Sequence, residues 1–159
     1  MDKNVDIQEV SILSDDAQLL IALLDQELSS EYAPQHRHFV DFEPFHREGG
    51  VFVVAYDAQT PIACGALRPI NESEIELKRM FVVDSHRGRS ISRHILAFLE
   101  NKARQLGYRK LMLETGDQQI AAIHLYSTSG YKRVPTFGEY VNSERSICFA
   151  KDIRWRGSP

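Results

Sequence analysis

Cysteine is scarce in this sequence: two residues in 159, Cys64 and Cys148, both within apolar stretches. Two are too few for a disulfide framework, and their setting is that of reduced, buried thiols in a cytoplasmic protein. Long hydrophobic runs are also missing. The longest, Leu19 to Leu24 and Val51 to Tyr56, fall far short of the roughly 20 apolar residues that a membrane-spanning helix requires. Met1-Asp2-Lys3-Asn4 leads straight into a strand pattern, so no secretory signal and no membrane partner are expected. Positive charge is not in excess either. A formal net charge of −3 runs against the basic balance expected of a nucleic-acid binder. Internal repeats and low-complexity tracts are absent. What remains is an ordinary globular composition, 43% hydrophobic and 26% charged. The length fits one domain over residues 1–159, able to bury a core without disulfides or a structural metal.

The chain divides into short periodic segments. Residues 5–13 read as a first strand. Ser14-Asp15-Asp16 supplies a helix start, because these side chains accept hydrogen bonds from amides that lack an intrahelical partner. Ala17, Leu20, Leu23, Leu24 and Leu28 then recur at helical spacing, predicting an amphipathic helix to about Ser30. Residues 31–49 hold two prolines, three histidines and several aromatics without periodicity. They predict a loop with a short helix near 42–47, and a connection of this length is often functional.

Val51 to Tyr56 and Ile62 to Leu67, joined by the turn Asp57 to Pro61, predict a hairpin, with residues 74–83 as a third strand. In that strand Ile75 and Leu77 alternate with Glu76 and Lys78, so its two faces differ. Ile91, Ile95, Leu96, Leu99, Ala103 and Leu106 make one stripe of a long helix, with Arg93, Glu100, Lys102 and Arg104 facing away and Gly107 ending it. Lys110 to Thr115 predicts a strand, residues 118–129 a helix, and Ser146 to Ile153 a last strand after a loop with Pro135, Phe137 and Gly138. Strand, long crossover and strand imply a parallel pair with a right-handed connection. The order β-α-(α)-β-β-β-α-β-α-β predicts an α/β fold, an α+β mixed sheet with helices on its faces.

Chemistry concentrates in residues 80–93. An apolar strand ends at Val82-Val83, a polar turn carries Arg87-Gly88, and a helix opens near Ser90. The first amides of that helix lack intrahelical partners and carry the positive end of its dipole, which suits a phosphate or pyrophosphate. Arg87, Arg89 and Arg93 add positive charge around it. Local spacing alone leaves a plain strand-to-helix turn with solvated arginines open as the alternative. Other phosphate and nucleophile motifs fail: there is no G-x-x-x-x-G-K-[ST], no G-x-G-x-x-G after the first strand and no G-x-S-x-G.

Arg87-Gly88-Arg89-Ser90-Ile91-Ser92 resembles the pyrophosphate turn of the GNAT superfamily of acyl-CoA N-acyltransferases, written [QR]-x-x-G-x-[GA]. A second block, Leu113-Glu114-Thr115 through Ala122-Ile123, Leu125-Tyr126 and Gly130-Tyr131, is similar to that family's later N-x-x-A-x-x-x-Y-x-x-x-G-[FY] motif. Leu113-Glu114-Thr115-Gly116 with Pro135 to Tyr140 also looks like a subgroup of small stand-alone bacterial members. The resemblance spans about residues 50–153. It implies a GNAT-like sheet with a splayed central parallel pair, acetyl-CoA as co-substrate, no metal, and an amine acceptor on a small molecule or peptide terminus. Homodimers are frequent in the family.

Residue by residue, the resemblance places the pantetheine arm along the backbone of Met80, Phe81 and Val82. The pyrophosphate falls to Arg87 and the amides of Gly88, Arg89, Ser90, Ile91, Ser92 and Arg93, with Gln119 at the pantetheine-contacting position. Tyr126 matches the general acid beside the sulfur. Glu76 and Glu114 match two alternative positions for a base. Three positions depart from the pattern: Ser90 and Ser92 replace glycines, and Gln119 replaces an asparagine. These departures motivate a second reading, a non-catalytic acyl-CoA-binding module with a degraded turn. Nucleic-acid binding has only Arg87, Arg89 and Arg93 behind it.

Other features carry less. His36, His38 and His46 lack a matched ligand set for a metal. His86 stands beside the turn and His124 on the helix before Tyr126. Tyr32, Phe39, Phe42, Phe45 and Tyr140 are expected either to line an acceptor pocket or to pack as ordinary loop residues, and Trp155 to pack on the sheet edge or a neighbouring subunit. Neither cysteine sits at a strand-to-helix turn, where an acyl-enzyme nucleophile is expected, which favours direct transfer.

Overall fold

A computed structural model describes residues 4–37 and 40–155. The chain runs β1 (Val5–Val10), α1 (Asp15–Glu31), α2 (Phe42–Arg47), β2 (Val51–Asp57), β3 (Thr60–Pro69), β4 (Glu74–Val82), α3 (Ile91–Gln105), β5 (Lys110–Gly116), α4 (Ile120–Thr128), β6 (Lys132–Val134) and β7 (Ser146–Asp152). The strands form one mixed sheet in the order β1-β2-β3-β4-β5-β7-β6. β4 and β5 are parallel, and the other neighbours are antiparallel. The α/β class and the mixed sheet match the sequence expectation, with one strand added. β6, three residues long, falls where the sequence reads as loop, and its Lys132-Arg133-Val134 carries no periodicity to announce it. Among the described residues, no helix is long and apolar enough to cross a membrane.

Two apolar layers sandwich the sheet. On one face Ile75, Leu77, Leu111, Leu113 and Phe149 pack against Ile91, Ile95, Leu99 and Ala103 of α3. On the other, Phe52, Val54, Cys64 and Ala66 pack against Ala17, Leu20 and Ile21 of α1 and Phe45 of α2. Ser14 caps α1 as its composition predicts, accepting a hydrogen bond from the Ala17 amide at 3.3 Å. Glu100 corrects one expectation. It does not face solvent but is 7% exposed, because Tyr131 and Lys151 close over it with hydrogen bonds of 2.9 and 3.1 Å.

One irregularity positions everything that follows. The register of β3 against β4 slips by one residue between Cys64 and Ala66, so β4 holds an extra residue there. Arg79 takes the left-handed φ of +60° at this bulge. Its guanidinium is fixed to Asp25 of α1 at 2.6 Å, and Cys64 Sγ donates to its carbonyl at 3.2 Å. A bulge bends the strand that carries it. β4 and β5 accordingly pair only over Glu74–Leu77 and Lys110–Leu113, and then separate. Gly65 lies opposite the bulge with no room for a side chain: a Cβ would meet Leu99 Cδ1 and Met80 Sδ at 2.8 Å and Ile95 Cγ2 at 2.9 Å.

Overpacking a closed core costs about 1–3 kcal/mol. Gly65→Ala is therefore expected to lower unfolding stability by that amount in denaturant titration, at an unchanged m-value. An unchanged midpoint would show that the bulge is not packed as described.

Candidate active site

The separation of β4 from β5 opens a cavity of about 730 Å³. Its walls are residues 77–82 of β4, 114–116 of β5, the turn before α3, the first two turns of α4, the C-terminal half of α1 and Tyr140. The predicted cofactor segment and the predicted proton-transfer segment thus meet in one space.

The predicted anion site is the start of α3. Asp84–His86 makes a 3-10 turn, Gly88 follows with φ +77°, and Ser90 occupies the N-cap position with φ +62°. The Ser90 side chain makes no capping hydrogen bond, so the first amides of a 15-residue helix face the cavity end without a side-chain acceptor. The left-handed backbone is one that glycine adopts freely and serine does not. It gives a conformational reason, besides close approach, for glycine at this place in the motif.

The three arginines separate in role. Arg87 Nε donates to the Val82 carbonyl at 2.9 Å, and its other nitrogens pair with Glu27 and Asp84, each at 2.7 Å. It also lies over the Phe81 ring at 5.7 Å. Arg93 turns toward the end of α4 and donates to Thr128 Oγ1 at 2.7 Å and Ser129 Oγ at 3.2 Å. Arg89 is exposed. His86 stands between Asp57 and Ser85, 2.8 Å from each.

Tyr126 lines the same cavity. Its ring is buried, edge-on to Tyr131 at 5.7 Å and tilted against Phe149 at 6.3 Å. Burial, with Glu114 nearby, pushes its hydroxyl well above the ordinary tyrosine range. The group therefore keeps its proton throughout the physiological range and is present as a donor.

The two candidate base carboxylates differ in position. Glu114 lines the cavity and accepts a hydrogen bond from Ser146 Oγ at 2.5 Å. Glu76 is 2% exposed and stands off the cavity wall. It accepts from Tyr140 Oη at 2.5 Å and faces Lys78 Nζ at 3.5 Å. Gln119 lies at the N-cap of α4 and donates to the Glu31 carboxylate. Met80, Phe81 and Val82 form the free side of β4 beyond its pairing with β5.

Of the aromatics expected around an acceptor pocket, Tyr140 lines the cavity. Phe45 and Phe42 belong to the α1-side core, and Tyr32 is buried with its hydroxyl accepting from the Gln118 amide at 2.8 Å. Phe39 and His38 lie outside the described residues. Among the described residues no group of histidine, cysteine, aspartate and glutamate could hold a metal. His124 is exposed at the cavity rim. Trp155 lies over the Arg104 guanidinium at 5.3 Å. Sequence reading does not find Tyr140 as a partner of Glu76 and Lys78, nor Glu27 and Glu31 as partners of Arg87 and Gln119, since these contacts join segments far apart in the chain.

Comparison with known proteins agrees with this fold. Residues 18–131 match the model of the acetyltransferase (GNAT) family. An IAA acetyltransferase of Azospirillum brasilense is 34% identical over 151 residues, covering 94% of this chain and 99% of that protein. The crystal structure of an acyl-CoA N-acyltransferase candidate from Klebsiella pneumoniae superposes with a TM-score of 0.77 at 30% identity, covering 94% of this chain and 97% of that one. A GNAT family acetyltransferase from Elizabethkingia anophelis with acetyl-CoA bound shares the fold at a TM-score of 0.62 and 19% identity, covering 95% and 99% of the two chains. The chain belongs to the GNAT acetyltransferase family, a family of acetyl-CoA-dependent acyltransferases.

Proposed function

We propose that the chain moves an acetyl group from acetyl-CoA to a primary amine of a small molecule or peptide, by direct attack within a ternary complex. The observation that carries this reading is the cavity between the diverging halves of β4 and β5, which the α3 N-terminus and Tyr126 both line.

The cofactor would supply a thioester carbonyl for the amine to attack. The amides of Gly88, Arg89, Ser90, Ile91, Ser92 and Arg93 hold its diphosphate, with Arg87 beside them. Met80, Phe81 and Val82 offer main-chain groups to the amide-bearing arm as a neighbouring strand would, and the Gln119 carboxamide reaches the same arm. A backbone amide near Phe81 stabilises the oxyanion. Tyr126 protonates the departing sulfur. A carboxylate removes the proton of the incoming ammonium: Glu114 stands on the wall, and Glu76 lies one hydrogen bond behind it through Tyr140. Both Cys64 and Cys148 are buried, and burial raises both thiols, Cys64 up to about 12. Neither is available as a thiolate nucleophile, which supports direct transfer over an acyl-enzyme.

Thiol release from acetyl-CoA across a panel of amines, amino acids and peptides tests the activity. Tyr126→Phe is expected to lower kcat by about 10²–10⁴-fold with the acetyl-CoA KM unchanged, and a wild-type kcat would remove the acid role. Tight binding with no release from any amine would favour the non-catalytic module. Ser90→Gly relieves the left-handed serine, whose cost is about 1 kcal/mol. It is expected to raise the melting midpoint by about 2–4 °C and to tighten CoA binding by calorimetry. A lower midpoint would contradict the strain at this turn.

A further inference from the structure

A buried carboxylate is costly unless it is paired, and Glu76 is held by a row of groups that leads outward. Its Oε2 accepts from Tyr140 Oη at 2.5 Å, and Lys78 Nζ donates to the same hydroxyl at 2.6 Å. Lys78 also reaches Glu139 at 3.2 Å, and the Glu139 side chain is 41% exposed. The row therefore runs Glu76, Tyr140, Lys78, Glu139, from a buried acid to solvent. Of these four, Tyr140 and Lys78 line the cavity. Glu76 and Lys78, two residues apart on one face of β4, stand 3.5 Å from each other, while the Tyr140 oxygen is closer to both. Tyr140 and Lys78 thus both join the cavity to Glu76, the hydroxyl brought in by the turn before β7 making the shorter contact.

We propose that Tyr140 is a catalytic relay between the acceptor ammonium and Glu76, an inference that rests on the acetyltransferase reading above. The ammonium N–H breaks and its proton goes to Tyr140 Oη, while the O–H of Tyr140 breaks and its proton goes to Glu76 Oε2. The neutral amine then attacks the acetyl carbonyl carbon and the C–S bond breaks. The sulfur takes the Tyr126 proton, and a second proton from the attacking nitrogen restores Tyr126. The proton on Glu76 leaves along the same row, Lys78 passing one proton to Glu139 as it receives one from Tyr140. The charged groups around Glu76 are Lys78 on its own strand, Arg68 as its register partner on β3, Glu114 on β5, and Glu139 beside Tyr140. Burial, and then the carboxylates Glu76, Glu139 and Glu114, raise the Tyr140 hydroxyl far above its ordinary range. It therefore serves as a neutral conduit and does not itself ionise.

Tyr140→Phe removes the oxygen and keeps the ring, with its edge contact to Phe137 at 5.4 Å and its contact with the Lys78 ammonium at 5.3 Å. Kinetics on an amine that the wild type acetylates compare Tyr140→Phe, Glu76→Gln and the double variant. Each single change is expected to lower kcat/KM by about 10²–10³-fold, and the double change by no more than either alone, as for residues acting as one unit. The dependence of wild-type kcat/KM on pH at its low-pH side is expected to vanish in both single variants, with calorimetric acetyl-CoA affinity unchanged. Losses that multiply in the double variant, or a low-pH dependence retained in Tyr140→Phe, overturn the relay.

Infrared difference spectra between wild type and Tyr140→Phe, recorded with CoA alone, need no acceptor. A shifted carboxylate band that is missing in Glu76→Gln is expected, and an unshifted band overturns the relay. Wild-type protein that fails to bind acetyl-CoA sinks the transferase reading, whereas full turnover by Tyr140→Phe sinks the relay alone.

Discussion

One extra residue in the central strand sets the geometry of this protein. Parallel strands held in register leave no gap between them, since their amides and carbonyls satisfy one another along the whole length. Here the bulge at Arg79 turns β4 away from β5 after four paired positions. The main-chain groups beyond Leu77 and Leu113 lose that partner, and a cleft opens in the middle of a sheet whose outer strands stay closed. The Arg79–Asp25 ion pair and the tight fit around Gly65 hold the bend from the two opposite faces. The helix that follows β4 then begins at the edge of the opening, so its amides and dipole point to the place where the strands part.

The same bend arranges the polar side chains. On its α1 side, β4 presents Glu76 and Lys78 to a buried layer, and the loop before β7 returns Tyr140 to complete that layer. β5 contributes Glu114, and α4 contributes Tyr126 from the opposite face. Two tyrosines kept protonated by burial thus line one cavity with Glu114, while Glu76 lies behind Tyr140. Environments that separate proton donors from proton acceptors are what acid–base chemistry requires. The proposed anion site is built from main-chain donors, and the proposed reacting groups are side chains of four different elements.

That contrast explains what the amino-acid order reveals and what it conceals. Residues 80–93 carry strand, turn and helix start in one continuous stretch, so their organisation is legible as a local pattern. The stripe Ile91, Ile95, Leu99 and Ala103 likewise marks α3, and all four are buried on the sheet. Contacts closed over long separations leave no such trace. Glu100 reads as an outward residue on α3 because Tyr131 and Lys151, which cover it, lie 31 and 51 residues further on. Tyr140 meets Lys78 across 62 residues and Glu76 across 64. Ser90 marks a departure from a glycine, but only the backbone shows that the position demands a left-handed φ. β6 is too short for any periodicity to emerge.

The central claim is that a cofactor's diphosphate sits at the opening of α3 and its arm lies along the free side of β4. Backbone amide NMR during titration with CoA tests it most directly. The account predicts shifts concentrated at Met80, Phe81 and Val82 and from Gly88 to Arg93, growing to saturation together. Shifts confined to the far end of the sheet, around Ser73, Arg109 and Asp152, or no shifts at millimolar CoA, would contradict it.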